Sequence, residues 1–257
     1  MPGGVKMMCE VRRFTQKIIT SLISLVLAYG LIIPGHAETG LQMDKTEVSI
    51  GQFAEFAKAT GFVSAAEQQG GMVYETGWTV KPGWNWRQPH GFAGQSEEPA
   101  VHLTFSEAEA YCRWRGKRLP TRQEWIDAAY TEHRNTPSDG FVTGQTYRYP
   151  TGTTPSGANC LSACGAETAL KDKKQPVSHL LARGTGHVPV GVSKRGVNGL
   201  YDMGANVWEW ARINEGSGAQ ATMGGSWWYG ARQMEAGYGA TKPPDMAVLY
   251  IGFRCIG

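Results

Sequence analysis

The chain has 257 residues, with 25 Lys and Arg against 22 Asp and Glu, 34 Gly and nine Trp. Four of those basic residues and one acidic residue lie in the first 37, so the remaining 220 residues carry 21 of each sign. A formally neutral body of this size excludes an electrostatic nucleic-acid or membrane-surface binder, and it suits one Gly- and Trp-rich domain with long loops.

The first 37 residues read as a secretory signal. Arg12, Arg13 and Lys17 precede the apolar run Ile18–Ile33, and Pro34–Ala37 offers the small residues a signal peptidase reads. The run is short for a full membrane span. Cleavage after Ala37 would leave residues 38–257 in the periplasm or outside the cell, with no stable membrane insertion.

Three helices are expected from one device. Ser49/Gln52, Thr104/Glu107 and Thr121/Glu124 are capping boxes, in which paired side chains satisfy amides that a helix start leaves unpaired. Phe53, Phe56 and Ala57 follow the first at helical spacing, and Ala108, Tyr111 and Cys112 the second. Trp125, Ala128 and Ala129 follow the third. Gly61 and Gly116 are natural stops. Ser64–Pro99 and Arg134–Val197 read as long irregular regions, the second with a solvated polar stretch at Lys171–Lys174. Near the end, MGGSWWYG and LYIGFRC read as short strand-like pieces. Strand alternation would put Trp227 and Tyr229 on one side and Trp228 on the other.

Cys9 leaves with the leader. The even set Cys112, Cys160, Cys164 and Cys255 in an exported chain predicts two disulfides. We pair Cys112 with Cys255 and Cys160 with Cys164, although four cysteines permit three connectivities.

The segment Gly199–Trp210, GLYDMGANVWEW, sets Asp202 and Glu209 around a small-residue turn. Such a turn can aim carboxylates and carbonyls at a hard cation, which takes six to eight oxygens. The competing reading is a Gly/Asn turn that feeds a Trp-rich core strand.

Lys45–Val48, Pro99–His102, GKRLPTRQEW, NGLYDMGANVWEW, GGSWW and GFRC together resemble the formylglycine-generating-enzyme, or sulfatase-modifying-factor, family over about residues 42–257. The resemblance implies an α+β single domain, a variant of the C-type lectin fold low in regular secondary structure. It implies structural calcium on Asp202 and Glu209 with the carbonyls of Ala205 and Val207. It also implies a second ion at Asn159 and the Cys160 carbonyl, for which no later acidic partner is found. It supports the Cys112–Cys255 pairing.

The family's oxidation chemistry rests on two cysteines after GGS that bind copper(I), as soft thiolates do. The matching positions here are Tyr229 and Met234, so that mechanism is set aside. Related sulfoxide synthases use a three-histidine iron site; an iron site from scattered His90, His102 and His187 is the least favoured reading, and no HxxxH or HxH pair occurs. Trp227, Trp228 and Tyr229 fall where the family places its groove, with Trp84 and Trp86 as added wall. Arg232 and Glu235 are candidates to orient a polar ligand, and Glu235 to act as a base. His102 reads as a structural group, and Arg118 as a loop brace through backbone carbonyls.

The leading expectation is oxidative maturation of a periplasmic protein or small-molecule substrate, in the manner of the pyoverdine-maturation branch. The alternative is a calcium-stabilised, non-catalytic accessory protein for a periplasmic metalloenzyme such as copper nitrite reductase. Formylglycine generation on sulfatases is third.

Overall fold

The computed structural model describes residues 42–165, 186–213 and 218–257. The signal segment, its boundary at Ala37 and Lys171–Lys174 lie outside the described residues.

All three capping boxes form. They open α1 (Ile50–Thr60), α3 (Phe105–Trp114) and α4 (Arg122–Tyr130). A fourth box, Ser64 with Glu67, opens the short α2 (Ala65–Gln69) inside the region read as irregular. That region also holds an antiparallel hairpin of β1 (Gly71–Tyr74) and β2 (Trp78–Lys81). Gly61 ends α1 in the left-handed conformation, φ 70°, where a residue without Cβ pays no steric cost.

The remaining strands are β3 (Trp208–Ala211), β4 (Gln220–Met223), β5 (Ala240–Lys242) and β6 (Ile251–Gly252). They form one sheet in the order β5-β4-β3-β6. Only β3–β6 is parallel. Every residue of β3 is buried, including Glu209. Phe53 of α1 stacks near Tyr111 of α3, and Trp86 and Phe253 close round it edge-on. This aromatic centre joins both helices to the end of the chain. The Cys112–Cys255 disulfide links α3 to the end of the chain across 143 residues, and Cys160–Cys164 closes a local clip.

Two sequence expectations need correction. The strand in MGGSWWYG ends at Met223, and Gly224–Gly230 is a turn in which the Tyr229 amide donates to the Ser226 carbonyl at 3.0 Å. The chain turns at Gly224, whose φ is 88°, and a Cβ there would lie 2.5 Å from the Met203 carbonyl oxygen, so only glycine fits this turn. Trp227 and Trp228 therefore do not face opposite ways; both are buried, with ring centroids 5.1 Å apart. Trp86 is not a groove wall either. It is fully buried, donates its indole N–H to Glu67 at 2.8 Å, and lies under the Arg87 guanidinium.

Candidate functional site

Three regions gather the chemistry. The first is the loop before β3. Asp202, Ala205 and Asn206 all have positive φ, at 59°, 65° and 54°. Such conformations cost on the order of 1–3 kcal/mol each for ordinary residues unless their surroundings fix them. Asn206 is the fixing group. Its Oδ1 accepts from the Val188 amide at 2.9 Å and from Asn159 Nδ2 at 3.1 Å, its Nδ2 donates to Glu47 at 2.6 Å, and its carbonyl accepts from Trp227 N–H at 2.9 Å. Asn159 thus serves as a partner of this loop, and the Asn206 amide donates to its carbonyl.

Glu47, Asp202, Glu209 and Arg254 are all buried here. Arg254 grips Glu209 through two donors at 2.7 and 2.8 Å, and Trp125 Nε1 donates to the same carboxylate at 2.7 Å. Asp202 accepts from the Gly191 amide and the Ser193 hydroxyl. Val207 N–H goes to Glu47 at 3.1 Å. Burial, reinforced by Asp202 and Glu209, raises the Glu47 carboxyl well above its ordinary range. Burial raises Asp202 too, against its hydrogen bonds from Ser193 and Gly191. Burial opposes the charge on Arg254, yet Glu209, Glu47 and Asp202 hold its guanidinium above the usual value. In this arrangement the neutralising cation is the guanidinium. Calcium on Asp202 and Glu209 would have to share the Glu209 carboxylate with Arg254. The sequence pattern does not mark Glu47 and Arg254 as pocket residues; each sits in a motif, KTEV and GFRC, but nothing in the spacing joins them.

The second region is an aromatic wall. Trp228 lies 5.9 Å from both Tyr74 and Trp78, Trp78 lies 5.6 Å from Tyr250, and Tyr250 lies 5.8 Å from Tyr229. Tyr74 and Trp78, on the hairpin, are 44% and 47% exposed, so this cluster reaches the surface. Arg232 is exposed, and Glu235 is engaged by Arg148 at 3.0 Å and by the Tyr149 hydroxyl at 3.2 Å. The structure thus gives Glu235 a surface ion pair. Met234 is buried, 3.6 Å from Cys164 Sγ. Among the described residues every cysteine is in a disulfide.

The third region joins His90 and His187 to Glu98, an acid that the sequence pattern does not mark. His90, Glu98 and His187 are buried, and one ligand atom of each lies within 4.8 Å of the others. His187 Nε2 is 2.8 Å from Glu98 Oε2, and the His90 and His187 rings stack at 4.6 Å. Both His90 ring nitrogens and His187 Nδ1 lack partners. Burial, with His187 and His102 nearby, pushes His90 down to about 2. Burial likewise takes His102 down to about 4. His102 itself contacts the Pro89 carbonyl through Nε2 at 3.1 Å and holds φ 57°. Its Nδ1 would lie 2.2 Å from a Cβ on Gly71, so β1 passes against this ring because Gly71 has none. Arg118 contacts the Leu119 carbonyl, but its main partner is Glu124, at 2.6 and 2.7 Å.

Residues 36–257 match the family described as a sulfatase-modifying factor enzyme 1-like domain. The chain belongs to the formylglycine-generating-enzyme family. It is 29% identical to the formylglycine-generating enzyme of Thermomonospora curvata, over 83% of this chain and 80% of that one. It is 31% identical to the inactive C-alpha-formylglycine-generating enzyme 2 of Mus musculus, over 69% of this chain but only 56% of the relative. PvdO from Pseudomonas aeruginosa superposes with a TM-score of 0.55 at 20% identity, covering 84% of this chain and 79% of PvdO, which shows a shared fold. The family contains both named enzymes and a relative named inactive, so membership leaves the chemistry to the site.

Proposed function

We propose that the protein is an exported maturation factor that promotes oxidation of a protein or metabolite on the formylglycine-generating-enzyme scaffold, without that family's paired copper thiolates. The observation that carries this reading is the wall of Tyr74, Trp78, Trp228, Tyr229 and Tyr250, and the family resemblance puts Tyr229 where relatives would carry a cysteine. Aromatic walls bind cyclic or planar groups by burial and offset stacking. Tyr229 and Met234 cannot supply thiolates, and the described cysteines are bonded to one another.

The test compares exported proteins and metabolites, by mass, from cells with and without the gene. A compound that accumulates two hydrogens richer, or one oxygen poorer, when the gene is absent supports the reading. Identical profiles would sink it. A purified preparation with a sulfatase-type cysteine peptide under air is expected to leave the cysteine unchanged.

The partly exposed wall also favours a second reading, an accessory protein that holds a periplasmic metalloenzyme such as copper nitrite reductase. Unaltered oxidation profiles together with loss of that partner's activity would favour it.

A further inference from the structure

We propose that His90, Glu98 and His187 form a buried mononuclear site for a divalent first-row transition cation, Fe(II) or Zn(II). The inference stands apart from the substrate of the aromatic wall, because it concerns ion uptake alone.

Three observations carry it. The first is distance. Two metal–ligand bonds of about 2.1 Å placed end to end span about 4.2 Å. The three donor atoms already lie within 4.8 Å of one another, so small side-chain rotations close them on one ion.

The second is unmet bonding. Buried polar atoms are nearly always partnered, and leaving one bare costs about 1–3 kcal/mol. His90 is 4% exposed and both its ring nitrogens are bare; His187 is fully buried and its Nδ1 is bare. An ion gives a bare His90 nitrogen a partner and takes the place of the proton between His187 and Glu98.

The third is preorganisation. Glu98 Oε1 accepts from the Gln95 amide at 2.9 Å, which orients the carboxylate. The Ile50 amide donates to the Glu98 carbonyl at 2.7 Å, and the Val190 amide to the Glu97 carbonyl at 2.8 Å. The backbone beside His187 is tied in turn to Asn206 through Val188. The His102 contact to the Pro89 carbonyl braces the residue before His90. Ligands held by such outer contacts keep their orientation without the ion.

The donor chemistry selects the class. Two imidazoles and one carboxylate suit Fe(II) and Zn(II), whereas calcium prefers oxygen alone and copper(I) prefers sulfur. Three protein donors leave coordination positions open. Trp227, 6.5 Å from His90 and 5.1 Å from Trp228, connects the cluster to the aromatic wall.

The experiment strips the purified full protein with a chelator, titrates it with Co(II) as an optical probe, then competes with Zn(II). One equivalent is expected, with absorption characteristic of mixed nitrogen and oxygen ligation, displaced by Zn(II) and not by excess calcium. His133→Ala, at an exposed histidine paired with Asp127, is expected to bind like the parent. Glu98→Gln and His187→Ala are expected to bind at least about ten-fold more weakly. Metal analysis of protein from its native cells then decides between iron and zinc. Folded Glu98→Gln or His187→Ala protein that binds as tightly as the parent overturns the proposal. If neither variant folds, the parent spectrum decides: oxygen-only ligation, or no uptake, overturns it.

Discussion

The acidic pocket before β3 and the histidine cluster behind Trp227 are both buried and polar, but they are finished differently. In the pocket, Glu209 is held by Arg254 and Trp125, Asp202 by Ser193 and Gly191, and Glu47 by Asn206 and Val207. In the cluster, one contact joins His187 to Glu98 and three ring nitrogens stay bare. Buried charge survives when paired and hydrogen-bonded; buried polar atoms without partners mark a place where something is missing or something happens. The contrast teaches that the residues most visible as a metal motif are already neutralised from within, whereas the open donor set is the inconspicuous one.

The largest test of this contrast is Glu209→Ala. It takes the contacting carboxylate from the buried Arg254 guanidinium, and breaking a buried pair in this way costs about 3–5 kcal/mol. Urea unfolding is expected to show that loss; a parent-like midpoint would mean the pair contributes little. Asn206→Ala should cost about 3 kcal/mol, because it strips partners from the Val188 amide and the Glu47 carboxylate together. Hydrogen exchange should show faster exchange at Val188 as well as at the loop before β3. Protection lost at the loop alone would disconnect the two regions.

Acid should separate them by sign. His90 and His102 have depressed values in the folded protein, so their stabilisation is present above the unfolded value near 6.5 and is lost as pH falls towards about 4 for His102 and about 2 for His90. Between pH 7 and 5 the metal-free protein should lose about 2 kcal/mol from each. Glu47 and Asp202 are raised, so their contribution is fully present below the unfolded carboxylate value and is lost as pH rises through the folded one. Glu47→Gln should therefore make the acid loss steeper, and His90→Phe should make it shallower. Denaturant melts across pH read both slopes, and equal slopes in all three proteins would break the comparison.

A smaller effect is expected from His90→Phe at pH 7 without metal. It removes two bare nitrogens at the cost of some repacking, so stability should change by less than about 1 kcal/mol. A loss like that of Glu209→Ala would mean the cluster is finished after all. The smallest effect is the response to calcium. With Arg254 seated on Glu209, a calcium-specific chelator should leave the melting midpoint unchanged, and a clear drop would show that the ion displaces the guanidinium.

The sequence by itself determined the helix starts, because a capping box is a contact between residues three apart and needs nothing distant to form. It also carried the family scaffold in its ordered motifs, and it marked Tyr229 and Met234 as unable to act as thiolates. The bend at Gly224 is not legible in it, because the close approach of the Met203 carbonyl to this residue is a contact between segments. Tertiary structure alone decided that Arg254 neutralises Glu209 and that His90, Glu98 and His187 meet. His187 lies 89 residues from Glu98 and Arg254 lies 45 from Glu209, and their chemistry depends on burial and distance, which packing sets and local spacing does not encode.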